Sequence, residues 1–272
     1  MAERGPSTGA RTVVITGGAG GIGSALASAF GSNGARIALL DLDGERLEAT
    51  TRALRADGIE VSAHQCDIRD RRQCDAAIEA VITDWGGVDV LVNNAGISHR
   101  SLFVDTDHEV IERVMGVNFF GAVHCTRAAL PSLVARKGSV VVLSSIAGFA
   151  PLLGRTAYAA SKHALEGFFS TLRTELEPQG VSVLVVCPGF TDTAMDTRAL
   201  SGDGSEVGKS RRAVGGTLTP TRVADAIVAA VIARRHKIVL SPIGHISLWL
   251  TKVAPRVYER LMVRSQREEF FY

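Results

Sequence analysis

Between residues 11 and 241, short runs rich in β-branched residues alternate with longer amphipathic stretches, and no other property of this chain narrows its fold so far. Strand, helix and strand in succession form a βαβ unit, and repeating the unit builds a parallel sheet covered by helices. The candidate strands are residues 11–16, 35–41, 59–65, 88–93, 139–144, 181–187 and 237–241. Several are apolar at successive positions, as in VVVL at 140–143 and VSVLVV at 181–186, which suits interior strands buried on both faces. Helices are predicted at 22–33, 44–57, 71–84, 107–130, 156–177 and 220–234. Asp43 suits an N-cap, Gly58 a helix stop, Thr106 with Glu109 a capping box, and Thr219 with Pro220 a helix start. The expected fold is α/β, a single domain with a doubly wound, seven-stranded parallel sheet flanked by helices. Right-handed crossovers would put the odd-numbered helices on one face and the even-numbered ones on the other.

With 272 residues, 46% apolar and 21% charged, the chain can fill one such domain around a large aliphatic core. Thirty Lys plus Arg against 28 Asp plus Glu leave +2, which gives no bulk grip on nucleic acid. Cys66, Cys74, Cys125 and Cys187 form no CxxC pair and no zinc spacing, so reduced structural thiols are expected. Residues 1–10 are polar and read as a flexible N-terminus without the apolar stretch of a secretory signal. The longest strictly apolar run, Ala226–Ala233, is far short of the ~20 residues of a membrane-spanning helix. A cytoplasmic location is therefore expected, with a catalytic domain over 11–243 and an extension over 244–272.

The first strand ends in TGGAGGIG, residues 16–23, and a helix follows directly. There Gly17 suits a tight turn, Gly21 the close approach of a dinucleotide, and Gly23 the packing of helix on strand. No GK[ST] follows, which disfavours a phosphate-transferring P-loop. Asp41 closes the second strand, where its carboxylate can accept from both ribose hydroxyls of an adenosine and would repel a 2′-phosphate. Neither Gly20 nor Leu42 supplies a compensating cation, so NAD is expected rather than NADP. Asp67 and the NNAG stretch at 93–96 fall at the same carboxyl edge of the sheet, which extends one groove.

Tyr158 and Lys162 lie four apart near the start of a helix, so their side chains share a face. An ammonium beside a phenol stabilises the phenolate and permits proton exchange near neutrality. Ser145, at the end of the fifth strand, can hydrogen-bond a substrate oxygen beside that phenol. No GxSxG elbow or acid–base triad accompanies it, and the seven histidines show no metal-ligand spacing, so no metal is expected.

TGGAGGIG, NNAG, Asn118, Ser145, YAASK at 158–162 and PGFTDT at 188–193 together resemble the short-chain dehydrogenase/reductase family over residues 11–241. The resemblance implies a Rossmann fold and an oxidoreductase that uses Tyr158 as general acid/base. Lys162 would bind the nicotinamide ribose, Ser145 would orient the substrate oxygen, and Asn118 would hold a helix irregularity and a water-linked proton path. Gly17, Gly20, Gly21, Ile22 and Gly23 would hold the phosphates, with Asp41, Leu42, Asp67 and Ile68 around the adenosine. Asn94, Ala95, Gly96, Pro188, Gly189, Thr191 and Thr193 would line the nicotinamide side, together with Tyr158 and Lys162. The alternatives are an NAD(P)H-dependent ketoreductase of a lipid or biosynthetic pathway and a non-enzymatic dinucleotide scaffold or redox sensor.

Apolar stretches at 147–154 and 190–195 favour a hydrophobic secondary alcohol or ketone, and the long segment 190–218 reads as a substrate loop. NAD is mostly oxidised in cells, so alcohol oxidation is the expected direction. Val117, Phe119, Phe120, Phe168 and Phe169 exceed what one buried face per helix needs, which points to a homodimer or homotetramer. In the tail, Ile246, Leu250, Val253, Val257 and Leu261 form an apolar stripe beside Lys252, Arg256, Arg260 and Arg264, with Pro255 kinking it or starting a second helix. That stripe suits either packing on the protein or peripheral contact with a membrane through residues 244–272.

Overall fold

A computed structural model describes residues 11–209 and 216–270; the predicted flexible segment 1–10 and part of the predicted substrate loop lie outside the described residues. Seven parallel strands are present: β1 (Thr12–Thr16), β2 (Arg36–Asp41), β3 (Val61–Gln65), β4 (Val90–Asn93), β5 (Ser139–Leu143), β6 (Ser182–Cys187) and β7 (Lys237–Val239). Their order is β3-β2-β1-β4-β5-β6-β7. The sheet grows away from β1 on both sides, first through β2 and β3 and then from β4 onward, so the carboxyl ends of β1 and β4 flank the switch point where an open α/β sheet binds its ligand.

The helices are α1 (Gly21–Ser32), α2 (Gly44–Ala56), α3 (Arg71–Trp85), α4 (His108–Met115), α5 (Gly121–Ala135), α6 (Thr156–Leu176), α7 (Pro220–Ile232), α8 (Pro242–Val253) and α9 (Pro255–Gln266). Asp43 accepts from Arg46 N at 3.1 Å and Thr219 from Arg222 N at 3.3 Å, as their cap positions predict. Two layers of apolar side chains sandwich the sheet. Val13, Ile15, Val92, Val141 and Val186 meet α1, α2 and α7 on one face, while Val14, Leu91, Val140, Val142 and Val185 meet α3, α5 and α6 on the other.

This distribution corrects the odd-and-even expectation. The two steps from β1 to β3 go one way across the sheet, and every later step goes the other way, so the helices divide by direction of travel. α7 is a further departure. It packs on α1, yet its crossover runs across the sheet opposite to that of α1, and two crossovers on one face with opposite travel have opposite hands.

Three local expectations also change. Helix 107–130 is interrupted: α4 ends at Met115, a π turn occupies Gly116–Phe120, and α5 continues through Pro131 to Ala135, with Leu133 fully buried. The Thr106–Glu109 capping box does not form, because Thr106 Oγ1 donates to Leu102 O at 2.7 Å and Asp107 takes the N-cap position. β7 stops at Val239, and Ser241 instead caps α8, accepting from Gly244 N at 3.1 Å.

Candidate active site

The glycine turn after β1 is built by close backbone contacts. Gly17 has φ +62°, and a Cβ there would stand 2.8 Å from Ala95 Cα. A Cβ on Gly23 would stand 2.1 Å from Gly17 O, so this third glycine lets the first turn of α1 press on the loop itself. Asn94 locks the arrangement: its Nδ2 donates to Thr16 O and Gly17 O, both at 3.0 Å, while Thr16 Oγ1 accepts from the backbone of Asn94 and Ala95. Gly21, at φ +46°, lies beneath Thr193, whose Cγ2 is 2.9 Å from where a Cβ would be.

At the adenosine end, Asp41 Oδ2 accepts from Ala19 N at 2.9 Å and Oδ1 from Asp43 N at 3.1 Å. The carboxylate therefore shapes the loop as well as facing the groove, and Leu42 stands exposed beside it. Asp67 is gripped by Arg69, with contacts down to 2.6 Å, and this guanidinium holds its carboxyl below the ordinary carboxylate range. Ile68 is buried against Gly121. These residues fit a dinucleotide: the turn has no room for side chains, small residues surround it, and a carboxylate marks one end.

On α6, Lys162 is buried and its Nζ donates to Leu143 O at 2.7 Å, at the end of β5. The same ammonium lies 5.6 Å from the Tyr158 ring centroid. Burial lowers the Lys162 pKa to about 8, since the low-dielectric interior disfavours its charge. Asn118 sits in the π turn, where its Oδ1 accepts from Ile97 N at 2.8 Å and its Nδ2 donates to Ile97 O at 3.0 Å and Ser161 Oγ at 2.9 Å. A Cβ on Gly96 would lie 3.3 Å from Asn118 Oδ1 and 3.5 Å from Lys162 Nζ, so these three residues meet. The Ser145 hydroxyl oxygen accepts from Ala147 N at 3.2 Å and caps the short turn after β5.

Ser145 and Tyr158 share the floor of a cavity of about 220 Å³ with Pro188, Gly189 and Phe190. Its roof comes from α8 and α9, through Ile243, Ile246, Leu250, Tyr258, Leu261 and Met262. Tyr258 fixes that roof, its hydroxyl donating to Pro151 O at 3.1 Å. Glu269 does the same farther along, accepting from Arg155 at 3.0 Å and Arg100 at 3.1 Å. Packing of the tail on the protein is thus observed, and the buried Arg155 guanidinium meets a carboxylate of the tail itself.

The described residues contain no group of three or more His, Cys, Asp or Glu able to hold a metal ion. They also contain no helix long and apolar enough to cross a membrane. All four cysteines are buried and unbridged.

Among known families, the model for short chain dehydrogenases matches residues 11–203. The chain belongs to the short-chain dehydrogenase family. It is 38% identical over 266 residues to the dehydrogenase/reductase SDR family member 7B of Bos taurus, covering 94% of this chain and 82% of that protein. It is 35% identical to a dehydrogenase/reductase SDR family protein 7-like of Anopheles gambiae, covering 93% and 82%. A short-chain dehydrogenase/reductase from Burkholderia phymatum, solved in complex with NAD, is 26% identical with a TM-score of 0.82, covering 92% of this chain and 95% of that one. A metagenomic short-chain oxidoreductase solved in complex with NADP is 30% identical with a TM-score of 0.71, covering 87% and 99%. This short-chain dehydrogenase is accordingly an NAD(P)-dependent oxidoreductase acting at a CH–OH or ketone group, not a scaffold.

Several residues of the candidate site escape sequence reading. His99 is buried and accepts from Tyr158 N at 3.4 Å; burial, aided by the Arg155 charge, lowers its pKa to about 4, so it is neutral near pH 7. Arg46 reaches back from α2 until its Nη2 is 2.9 Å from where a Cβ on Gly20 would stand. Ser161 links Asn118 to the Tyr158 carbonyl, donating to it at 2.8 Å. The serine of YAASK could have been suspected from its place between Tyr158 and Lys162, whereas Arg46 and His99 carry no local signal.

Proposed function

We propose that the enzyme oxidises a hydrophobic secondary alcohol to its ketone with NAD, or runs the reverse, using Tyr158 as general acid/base. The observation that carries this reading is the convergence of Ser145 and Tyr158 on the floor of one apolar cavity, with Lys162 buried behind the phenol. When bound, the nicotinamide supplies the hydride chemistry. In the oxidative direction the Tyr158 phenolate takes the proton of the substrate hydroxyl, and the Ser145 hydroxyl donates to the same oxygen. The Lys162 ammonium favours the phenolate and holds the nicotinamide ribose, while Asn118 keeps the π turn and Ser161 in position beside it. Backbone N–H groups around Gly17, Gly20, Gly21, Ile22 and Gly23 receive the phosphates. Asp41 receives the adenosine ribose hydroxyls, flanked by Leu42, Asp67 and Ile68. Asn94, Ala95, Gly96, Pro188, Gly189, Thr191 and Thr193 line the nicotinamide side.

NAD fits Asp41, whose charge opposes a 2′-phosphate, and a mostly oxidised cellular NAD pool favours alcohol oxidation. A second reading, NAD(P)H-dependent ketone reduction, is favoured by the Arg46 guanidinium over Gly20, a cation within reach of a 2′-phosphate. Kinetics with NAD and NADP side by side, over a panel of apolar secondary alcohols and ketones, decide between them. The expected result is a higher kcat/KM with NAD, and a parent enzyme that prefers NADP overturns the role of Asp41. The working unit is a homodimer or homotetramer joined through the stretch 107–130, which contains the π turn, and α6.

A further inference from the structure

The roof of the cavity is also an outer surface. Ile246 and Leu261 line the cavity and are nevertheless 60% and 58% exposed, so one apolar surface runs from the active site to the outside. Trp249, Val253 and Val257 extend it over α8 and α9, exposed by 62%, 62% and 46%. Beside this patch stand Lys252, Arg256, Arg260 and Arg264, one every four residues and all exposed. Glu259 is the acidic residue among them, while Glu269 is turned inward to Arg100 and Arg155.

Large exposed apolar patches rimmed by charge mark surfaces that dock on something. The charge here is mostly positive, with Lys252, Arg256, Arg260, Arg264 and Arg267 exposed against Glu259 and Glu268, and this excess selects the partner. A second copy joined about a two-fold axis at this patch would bring two mostly cationic rims together, an unfavourable pairing. An anionic lipid surface offers the complement: acyl chains for the apolar residues, headgroups for the cations, and an interface where a tryptophan is favoured.

We propose that α8 and α9 dock the enzyme on anionic bilayers, so that an apolar substrate enters between Ile246 and Leu261 directly from the lipid. The entry route rests on the apolar-substrate reading above; the docking does not. Binding is reversible, because two short amphipathic helices bury little area and the cations are screened by salt.

The test uses the full chain with Trp85→Phe, which leaves Trp249 as the sole tryptophan reporter. It is mixed with vesicles of phosphatidylcholine alone or of phosphatidylcholine with phosphatidylglycerol. A blue shift of Trp249 emission with the anionic vesicles, reversed by high salt, is expected. Arg256→Gln with Arg260→Gln should weaken that binding about thirtyfold, since each cation near an anionic surface contributes roughly a fivefold factor. Val253→Asp should abolish it, and both variants should turn over a water-soluble ketone at the parent rate. The vesicle readouts need neither cofactor nor turnover, so they stand even if the assigned chemistry fails. No shift with either vesicle, or equal binding to both, overturns the proposal. So does a concentration-dependent blue shift without lipid that Val253→Asp removes, because a second copy would then occupy the patch.

Discussion

Tyr158 and Lys162 stand one helical turn apart, yet burial treats them differently: the phenol faces the cavity, while the ammonium is enclosed and held by Leu143 O. Tyr158→Phe should therefore leave NAD binding within a few-fold of the parent and cut turnover at least ~100-fold, as loss of a positioned acid/base does. Near-parent turnover on any good substrate contradicts the assignment; titration calorimetry and steady-state kinetics supply the two readouts. Lys162 carries a linked prediction. Its folded pKa of about 8 lies below the ordinary lysine value of 10.5, so between them the unfolded chain binds more protons. Stability of the parent rises with pH across that window, and Lys162→Met, which has nothing to titrate there, does not share the rise. The Tm difference between cofactor-free parent and variant should move in the parent's favour from pH 7 to pH 10, and a constant difference contradicts a charged, desolvated Lys162 at neutrality. At the groove's other end, Asp41→Asn keeps an acceptor for Ala19 N and removes the charge. It should raise the NADP-to-NAD ratio of kcat/KM about tenfold, the effect of roughly 1.4 kcal/mol. Adding Arg46→Gln should reverse most of that gain, because Arg46 is the cation over Gly20.

Among the elements, the π turn and the tail show how sequence legibility depends on where partners come from. Asn118 was singled out by the resemblance, but the extra backbone residue of Gly116–Phe120 leaves no periodic trace in five residues of GVNFF. Its partners, Ile97 and Ser161, come from the loop after β4 and from α6. The tail's apolar stripe was legible as helical, and Pro255 does open a second helix, since proline suits a first helical turn. What the stripe covers was not legible, because the pocket floor beneath it comes from the ends of β5 and β6. Truncation after Ser241 should leave the sheet and NAD binding intact, because the buried clusters around the sheet contain no residue of α8 or α9. The truncated enzyme should lose its grip on apolar substrates, seen as a KM at least ~10-fold higher, the scale of losing several buried apolar contacts. Unfolding on truncation, read by circular dichroism, would show instead that the tail is part of the core.

At the scale of the whole molecule, an aromatic surface stands exposed away from the cavity. Phe120, Phe119, Phe168 and Phe169 form, in that order, a ladder of edge-to-face rings with centroids 5.1, 5.7 and 5.1 Å apart, in which Phe120 and Phe168 keep outer faces exposed. Covering them with a two-fold copy places identical apolar patches together with no charge penalty at those rings. Light scattering at micromolar concentration should report two or four chains, and Phe120→Glu with Phe168→Glu should release monomers. A parent that scatters as a single chain rules the contact out.

The sequence alone determined the order of strands and helices, the caps of α2 and α7, the glycine turn and the Tyr158–Lys162 pair. Each of these is a local event, written in the period of apolar residues or in the conformational range of one side chain. The tertiary structure decided what depends on meetings between distant segments. It divided the helices between the two faces, gave α7 a crossover opposite in hand to that of α1, and brought Arg46 over Gly20 and His99 beneath Tyr158. It also closed the cavity with a tail whose own pattern names no partner. These outcomes follow from burying two sheet faces at once and from the direction in which the chain crosses the sheet, neither of which is a property of any short stretch of residues.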